Sequence, residues 1–169
     1  MQQEKALAIL KSGKNTFLTG SAGTGKTHVL NQYIAYLKER KVTVAVTAST
    51  GIAATHMSGM TIHSWSGIGV KEFITNKHLV NMKTKKYLKN HLEKAKVLII
   101  DEISMLHLNQ LNAVDVVLRY FKDDLLPFGG VQVVLCGDFF QLPPIGKQGE
   151  TSKEKFAFMS LCCGSSVMP

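Results

Sequence analysis

Gly20-Ser21-Ala22-Gly23-Thr24-Gly25-Lys26-Thr27 decides the fold. It matches in full the pattern of a phosphate-binding loop, G-x-x-x-x-G-K-[ST]. Residues 15–19 before it read as a short strand and residues 26–39 read as a helix, which is the setting such a loop requires. The glycines let successive backbone N–H groups turn inward around phosphate oxygens, and the helix N-terminus adds the positive end of its dipole. Lys26 supplies a point charge near the β- and γ-phosphates of a nucleotide such as ATP, and the Thr27 hydroxyl is placed to hold magnesium. The candidate nucleotide contacts are therefore Gly20, Ser21, Ala22, Gly23, Thr24, Gly25, Lys26 and Thr27, with His28 following them.

Outward from the loop, β-rich runs at 42–47, 96–101 and 131–137 alternate with helical stretches at 26–39 and 106–121. That alternation predicts an α/β domain of the P-loop NTPase type, with three layers and a mostly parallel central sheet. Val97-Leu98-Ile99-Ile100 and residues 131–135 are nearly continuous apolar runs, as expected of central strands covered on both faces. With 169 residues, 45% hydrophobic and 19% charged, the chain holds enough apolar material for one core, so a single domain is expected.

The net charge of +8 favours a polyanionic partner. Its distribution is local: residues 71–96 hold eight lysines against two acids, Glu72 and Glu93, a net +6. Tyr87, Leu88 and Leu92 recur there at helical spacing, which predicts a helix with one core face and a solvated lysine face; direct DNA contact is the alternative. Three cysteines, two of them the neighbours Cys162 and Cys163 and the third, Cys136, inside an apolar run, argue for a reducing, intracellular setting. Met1-Gln2-Gln3-Glu4-Lys5 does not open a signal peptide, and no apolar run is long enough to span a bilayer, so no membrane partner is expected.

Two further stretches carry chemistry. Val97-Leu98-Ile99-Ile100-Asp101-Glu102 is an apolar strand ending in two acids, the form of the second nucleotide motif. Asp101 reads as the metal-side carboxylate, and Glu102 as the base that polarises the water attacking the γ-phosphate. Gly137-Asp138-Phe139-Phe140-Gln141-Leu142-Pro143-Pro144 follows another apolar strand. Gln141 is the candidate γ-phosphate sensor, because an amide bonded to that phosphate or to the attacking water loses the bond on hydrolysis. Read without further context, a turn glutamine such as Gln141 is more often a solvated residue.

Taken together these stretches closely resemble the Pif family of superfamily-one, 5′-to-3′ DNA helicases. Thr47-Ala48-Ser49-Thr50-Gly51-Ile52-Ala53-Ala54 looks like the family's motif Ia, and Thr61-Ile62-His63-Ser64-Trp65-Ser66-Gly67-Ile68-Gly69 like the segment that follows it. Asp101-Glu102-Ile103-Ser104-Met105 and Phe128-Gly129-Gly130-Val131-Gln132 continue the pattern, so that it runs from residue 15 to residue 145. The resemblance implies a RecA-like motor domain that uses ATP and magnesium, with single-stranded DNA lying along Thr50, Gly51, His63 and Ser64. Hydroxyls, backbone N–H groups and an imidazole can hold phosphates without reading sequence, as a translocating motor requires. From the residues alone, His63 reads as a partly buried histidine and Trp65 as core. The resemblance also implies that Gln3 reads adenine, with Gln2 as the competitor; the residues that lead into this glutamine in the family are missing here.

Family members carry a second motor domain that closes the nucleotide site with arginines. This chain is expected to be the first motor domain alone, residues 1–169, acting as a monomer. Arg40 and Arg119 are its only arginines, and both fall in helical stretches. Nucleotide binding with very slow hydrolysis is the expectation, because an arginine finger contributes about 10³ to 10⁵ in rate. Phe156-Ala157-Phe158-Met159 still resembles the family, whereas residues 161–169 do not, which points to truncation or a reading-frame change. Two rival readings stand beside this one: a RecD-like helicase or exonuclease subunit, and a non-motor module in which nucleotide only switches DNA binding.

Overall fold

The computed structural model describes residues 3–138, 149, 151 and 155–157. Among them five strands form one sheet in the order β1-β5-β4-β2-β3, and every pairing is parallel. In chain order the elements are α1 (Gln3–Lys11), β1 (Thr16–Thr19), α2 (Lys26–Glu39), β2 (Val44–Ala48), α3 (Gly51–His56), β3 (Met60–Thr61) and α4 (Ile62–Ser66). Then come α5 (Asn76–Thr84), α6 (Lys86–Lys94), β4 (Val97–Asp101), α7 (Leu108–Lys122) and β5 (Gln132–Gly137). Short 3-10 turns at Ile103–Met105 and Pro127–Gly130 flank α7.

The apolar run of β4 is continuous because both of its faces are covered. Val97 and Ile99 join Val134 and Cys136 of β5 under the layer built by α1 and α2, where Leu10, Leu30, Tyr33 and Leu37 are buried. Leu98 and Ile100 join Val133 and Leu135 on the opposite face, under α4 to α7, with Ile62, Trp65, Leu88, Leu92 and Val117. Period-2 alternation thus survives inside a wholly apolar strand, with each parity feeding a different core. The three-layer α/β architecture expected of the sequence is the one observed, with β4 and β5 both interior to the sheet.

The lysine-rich stretch differs from expectation. It forms two helices, α5 and α6, that meet at Lys85 in extended conformation, φ −82° and ψ 100°. Leu79, Met82, Leu88 and Leu92 point into the core, while Tyr87 is exposed and does not belong to the buried face. All eight lysines of the stretch are exposed. Trp65 is core, as expected, stacked on His91 with centroids 5.6 Å apart, and the His91 ring also bonds the Trp65 carbonyl at 2.6 Å. Among the described residues no helix is long and apolar enough to cross a membrane.

The Phe128-Gly129-Gly130 segment is a turn with a structural cause. Phe128 and Gly129 both sit at positive φ, 53° and 61°. A Cβ on Gly129 would meet the Leu118 carbonyl and the Lys122 side chain at 2.7 Å, so only glycine lets the turn close onto α7. Buried Asp115 secures it: one carboxylate oxygen accepts the Phe128 backbone N–H at 2.5 Å, and the other takes the Arg119 guanidinium at 2.8 Å. Replacing Asp115 by alanine strands a buried N–H and leaves Arg119 without its carboxylate. We expect a loss of about 3 kcal/mol in urea denaturation, with Asp115→Asn, which keeps an acceptor oxygen, losing clearly less.

Candidate active site

In a parallel sheet the carboxyl ends of all strands lie along one edge, where ligands of open α/β folds bind. Read across the sheet, that edge carries residues 20–27 after β1, Asp138 after β5, Asp101 and Glu102 at β4, Ser49 to Gly51 after β2, and His63 and Ser64 after β3. The candidate nucleotide and DNA residues on this edge, scattered in sequence from Gly20 to Glu102, therefore share one rim with Asp138.

The phosphate loop opens α2 from Gly25, which has φ 87°. A side chain on Gly25 would both strain this backbone and collide with the Gln3 amide, which lies directly against it. Gln3, the candidate adenine reader, is thus brought to the loop by α1; Gln2 lies outside the described residues. The Lys26 ammonium donates to the Gly20 carbonyl at 2.5 Å and the Ser21 carbonyl at 3.0 Å, folding back over the loop it belongs to. Thr27 is exposed on the first turn of α2, and His28 beside it pairs with Gln32 one turn on, at 3.1 Å.

Asp101 and Glu102 are held by the backbone around them. Asp101 Oδ1 accepts the Glu102 N–H at 2.9 Å. Glu102 itself sits at φ 53°, ψ 43°, a left-handed conformation that costs a non-glycine residue about 1 kcal/mol. Ser49, after β2, stabilises it: its hydroxyl donates to the Glu102 carbonyl at 2.7 Å, and its N–H to the Asp101 carbonyl at 3.1 Å. The Glu102 carboxyl is shifted up from its ordinary range, first by burial and then by the Asp101 charge; Lys26 opposes the shift and Asp138 adds to it. Lys26, Asp101, Glu102 and Asp138 are therefore one electrostatic group.

Ser49 and Asp138 escaped the sequence reading. The Gly137-Asp138 pair after an apolar strand repeats the strand-then-acid pattern of Ile100-Asp101, and that signal was present in the sequence. Gln141 lies outside the described residues.

Mutual repulsion among Asp101, Glu102 and Asp138 suits a bound cation. The Thr27 hydroxyl and the Asp101 carboxylate are the hard oxygen donors magnesium prefers. Among the described residues no group of three or more His, Cys, Asp or Glu converges on a metal position. Magnesium is usually held by one or two protein ligands, with phosphate and water supplying the rest.

On the β2–β3 side, Thr50 caps α3 by accepting the Ala53 N–H at 3.3 Å, and Gly51 after it is exposed. Thr61 caps α4 in the same way, accepting the Ser64 N–H at 3.3 Å and donating to the Ser64 hydroxyl at 3.0 Å. Parallel pairing of Ala48 with Thr61 sets these two caps side by side. His63 is half-buried and Ser64 exposed.

A family model described as PIF1-like helicase matches residues 2–164. The chain belongs to the PIF1-like helicase family. It is 64% identical over 160 residues to the ATP-dependent DNA helicase Pif1 of Psychrobacter sp., covering 95% of this chain and 24% of that protein. It is 44% identical over 163 residues to the ATP-dependent DNA helicase RRM3 of Saccharomyces cerevisiae, covering 95% of this chain and 22% of the relative. The crystal structure of Pif1 helicase from Candida albicans superposes with a TM-score of 0.88 at 39% identity, over 99% of this chain and 37% of the other. A Bacteroides Pif1 helicase solved in complex with ADP-AlF3 and ssDNA gives 0.80 at 37% identity, over 94% of this chain and 38% of that one. This PIF1-like chain thus spans about a quarter of the length of the curated relatives it matches.

The raised Glu102 pKa sets a pH dependence. A carboxyl that holds its proton more tightly when folded favours folding below its unfolded value, 4.5, and that contribution is lost as pH rises through the folded value. Glu102→Gln removes the effect. Its thermal midpoint should lie above that of the parent at pH 8, with the gap closing toward pH 4, as followed by circular dichroism.

Proposed function

We propose that this chain is the first, ATP-binding motor domain of a DNA helicase that moves 5′-to-3′ on single-stranded DNA, working as a monomer and completed by a second motor domain in the longer protein. The observation that carries this reading is the shared rim: the Lys26, Asp101 and Glu102 group and the Thr50 and Thr61 caps stand at the carboxyl edge of one parallel sheet. The relatives' names as ATP-dependent DNA helicases support it, as does a neighbour solved with ADP-AlF3 and ssDNA.

In this reading Lys26 exchanges its two loop carbonyls for phosphate oxygens, and the inward N–H groups of residues 20–27 bind the remaining charge. Gln3, against Gly25, presents its amide to the adenine. Thr27 and Asp101 would hold magnesium, which neutralises charge on the phosphates undergoing transfer. Glu102, ionised, polarises the attacking water, and Gln141 reports the γ-phosphate. Thr50, Gly51, His63 and Ser64 grip successive DNA phosphates without reading bases.

Slow turnover follows from where the two arginines stand. Arg40 lies over the Tyr36 ring, 3.7 Å from its centroid, and pairs with Glu39 at 3.7 Å. Arg119 is committed to Asp115 and to the Leu125 carbonyl. Neither stands at the phosphate loop to stabilise a transferring phosphoryl group, a role worth about 10³ to 10⁵ in rate.

Calorimetric titration of ATP with magnesium tests the reading. We expect saturable binding by the chain and its loss in Lys26→Ala. Titration with single-stranded DNA should follow, and contact with two or three phosphates lowers affinity about tenfold between 50 and 200 mM salt. A folded sample that binds neither ligand would overturn the proposal.

A further inference from the structure

α6 presents a surface that the chemistry of the rim does not use. Its buried residues, Leu88 and Leu92, lie on one side, and Lys86, Asn90 and Lys94 stand exposed on the other. Residues four apart are neighbours on a helix, so these three form a straight row that advances about 6 Å per step. Tyr87 stands beside the row, 63% exposed. Around it lie the other lysines of residues 71–96, eight in all against Glu72 and Glu93. Among the described residues none of the eight is in an ion pair, and Lys83 alone lies over a ring, that of Tyr120, at 5.0 Å.

This concentration of charge works against stability. The uncompensated lysines repel one another, and Lys85 and Lys86 stand at the positive end of the α6 dipole, where acids are favoured and none is present. A surface that needs only solubility mixes both signs. A row of unpaired cations beside an exposed aromatic ring is instead the arrangement that holds a nucleic-acid single strand, with ammonium groups on phosphates and the ring against a base. A lipid surface fits poorly, because a basic amphipathic helix binds it through a free apolar face. Here Leu79, Met82, Leu88 and Leu92 are committed to the core.

Ring contacts tie this surface to the rim. The Tyr87 ring lies 6.1 Å from that of His91, and His91 stacks on Trp65 at 5.6 Å while bonding the Trp65 carbonyl at 2.6 Å. Trp65 follows Ser64 in α4, so α6 is fixed to the short helix that carries His63 and Ser64. We infer that the outward face of α6 is a second single-strand contact, continuing the path outward from His63 and Ser64. Tyr87 stacks on a base, and Lys86 and Lys94, with Asn90 between them, hold phosphates. The inference rests on the reading of Thr50, Gly51, His63 and Ser64 as the DNA path.

Fluorescence anisotropy of the whole chain with a labelled oligothymidylate, titrated over a range of salt, separates the parts. Lys86→Gln with Lys94→Gln removes two phosphate contacts, so the slope of log affinity against log salt should become shallower by about 1.4, or about 0.7 for each contact. Lys38→Gln with Lys41→Gln takes the same charge from the end of α2, in the opposite layer, and should leave the slope near the parent's. Tyr87→Ala should weaken binding about tenfold without changing the slope, since a stacked base releases no counterions, and Tyr87→Phe should bind like the parent. These side chains are exposed, so the variants keep the parent's fold. A lysine pair that shifts the slope no more than the α2 control, or a Tyr87→Ala chain that binds like the parent, overturns the inference. His63→Ala reports the rim separately. If it binds like the parent while the α6 variants weaken, the rim reading falls and the α6 contact stands; if it alone weakens, the α6 contact falls and the rim stands. A parent chain that binds no strand at low salt overturns both.

Discussion

β4 is hydrogen-bonded on both sides, to β2 and to β5, and buried on both faces, and the position of its last residue governs the whole rim. Because side chains alternate along a strand, a one-residue slip of this pairing would exchange the two cores and turn Asp101 to the wrong face. Fixed as it is, β4 delivers Asp101 and Glu102 between the end of β5 and the end of β2. Ser49 closes the structure from the β2 side, and its hydrogen bonds, each worth about 1 kcal/mol net, offset the left-handed backbone of Glu102. The residue next to Ser49 is Thr50, so one short segment touches both the acid pair and the proposed DNA path.

Much of this was legible before any coordinates. The helix expected at 26–39 is α2 to the residue, because a glycine that can adopt positive φ opens it and Val29, Leu30, Tyr33 and Leu37 pattern its buried face. β4 and β5 announced themselves as unbroken apolar runs. Other features left no local trace. The break at Lys85 uses neither glycine nor proline, so α5 and α6 read as one helix, and that misplaced Tyr87. β3 has only the two residues Met60 and Thr61 and is a strand solely because β2 offers it an edge. The Ser49 clamp joins residues far apart in sequence, and no periodicity carries such information. Asp138 was within reach, since its strand ends as β4 does.

The Phe128-Gly129-Gly130 segment shows how a family motif can matter without touching chemistry. Its glycine exists to let the chain cross Leu118 and Lys122 of α7, and its phenylalanine is buried with its N–H on Asp115. Arg119 then ties the same carboxylate to the Leu125 carbonyl. This knot sets where β5 begins, and hence where Asp138 arrives at the rim.

The strand order has a consequence in time as well as in space. β1 carries the phosphate loop, yet among the described residues its only neighbour in the sheet is β5, the last strand of them in sequence. The links that anchor it span most of the chain: Asn15 Oδ1 accepts the Val133 N–H across 118 residues, and the Gln132 amide donates to Leu10 and Lys14 while accepting from Tyr33. Closing so long a loop is slow, and folding rates fall as contacts become more distant in sequence. A nascent chain emerging from the ribosome can assemble β2 and β4 with their helices while its earliest strand still waits for a partner. The loop that is first in the sequence is accordingly among the last parts to be built.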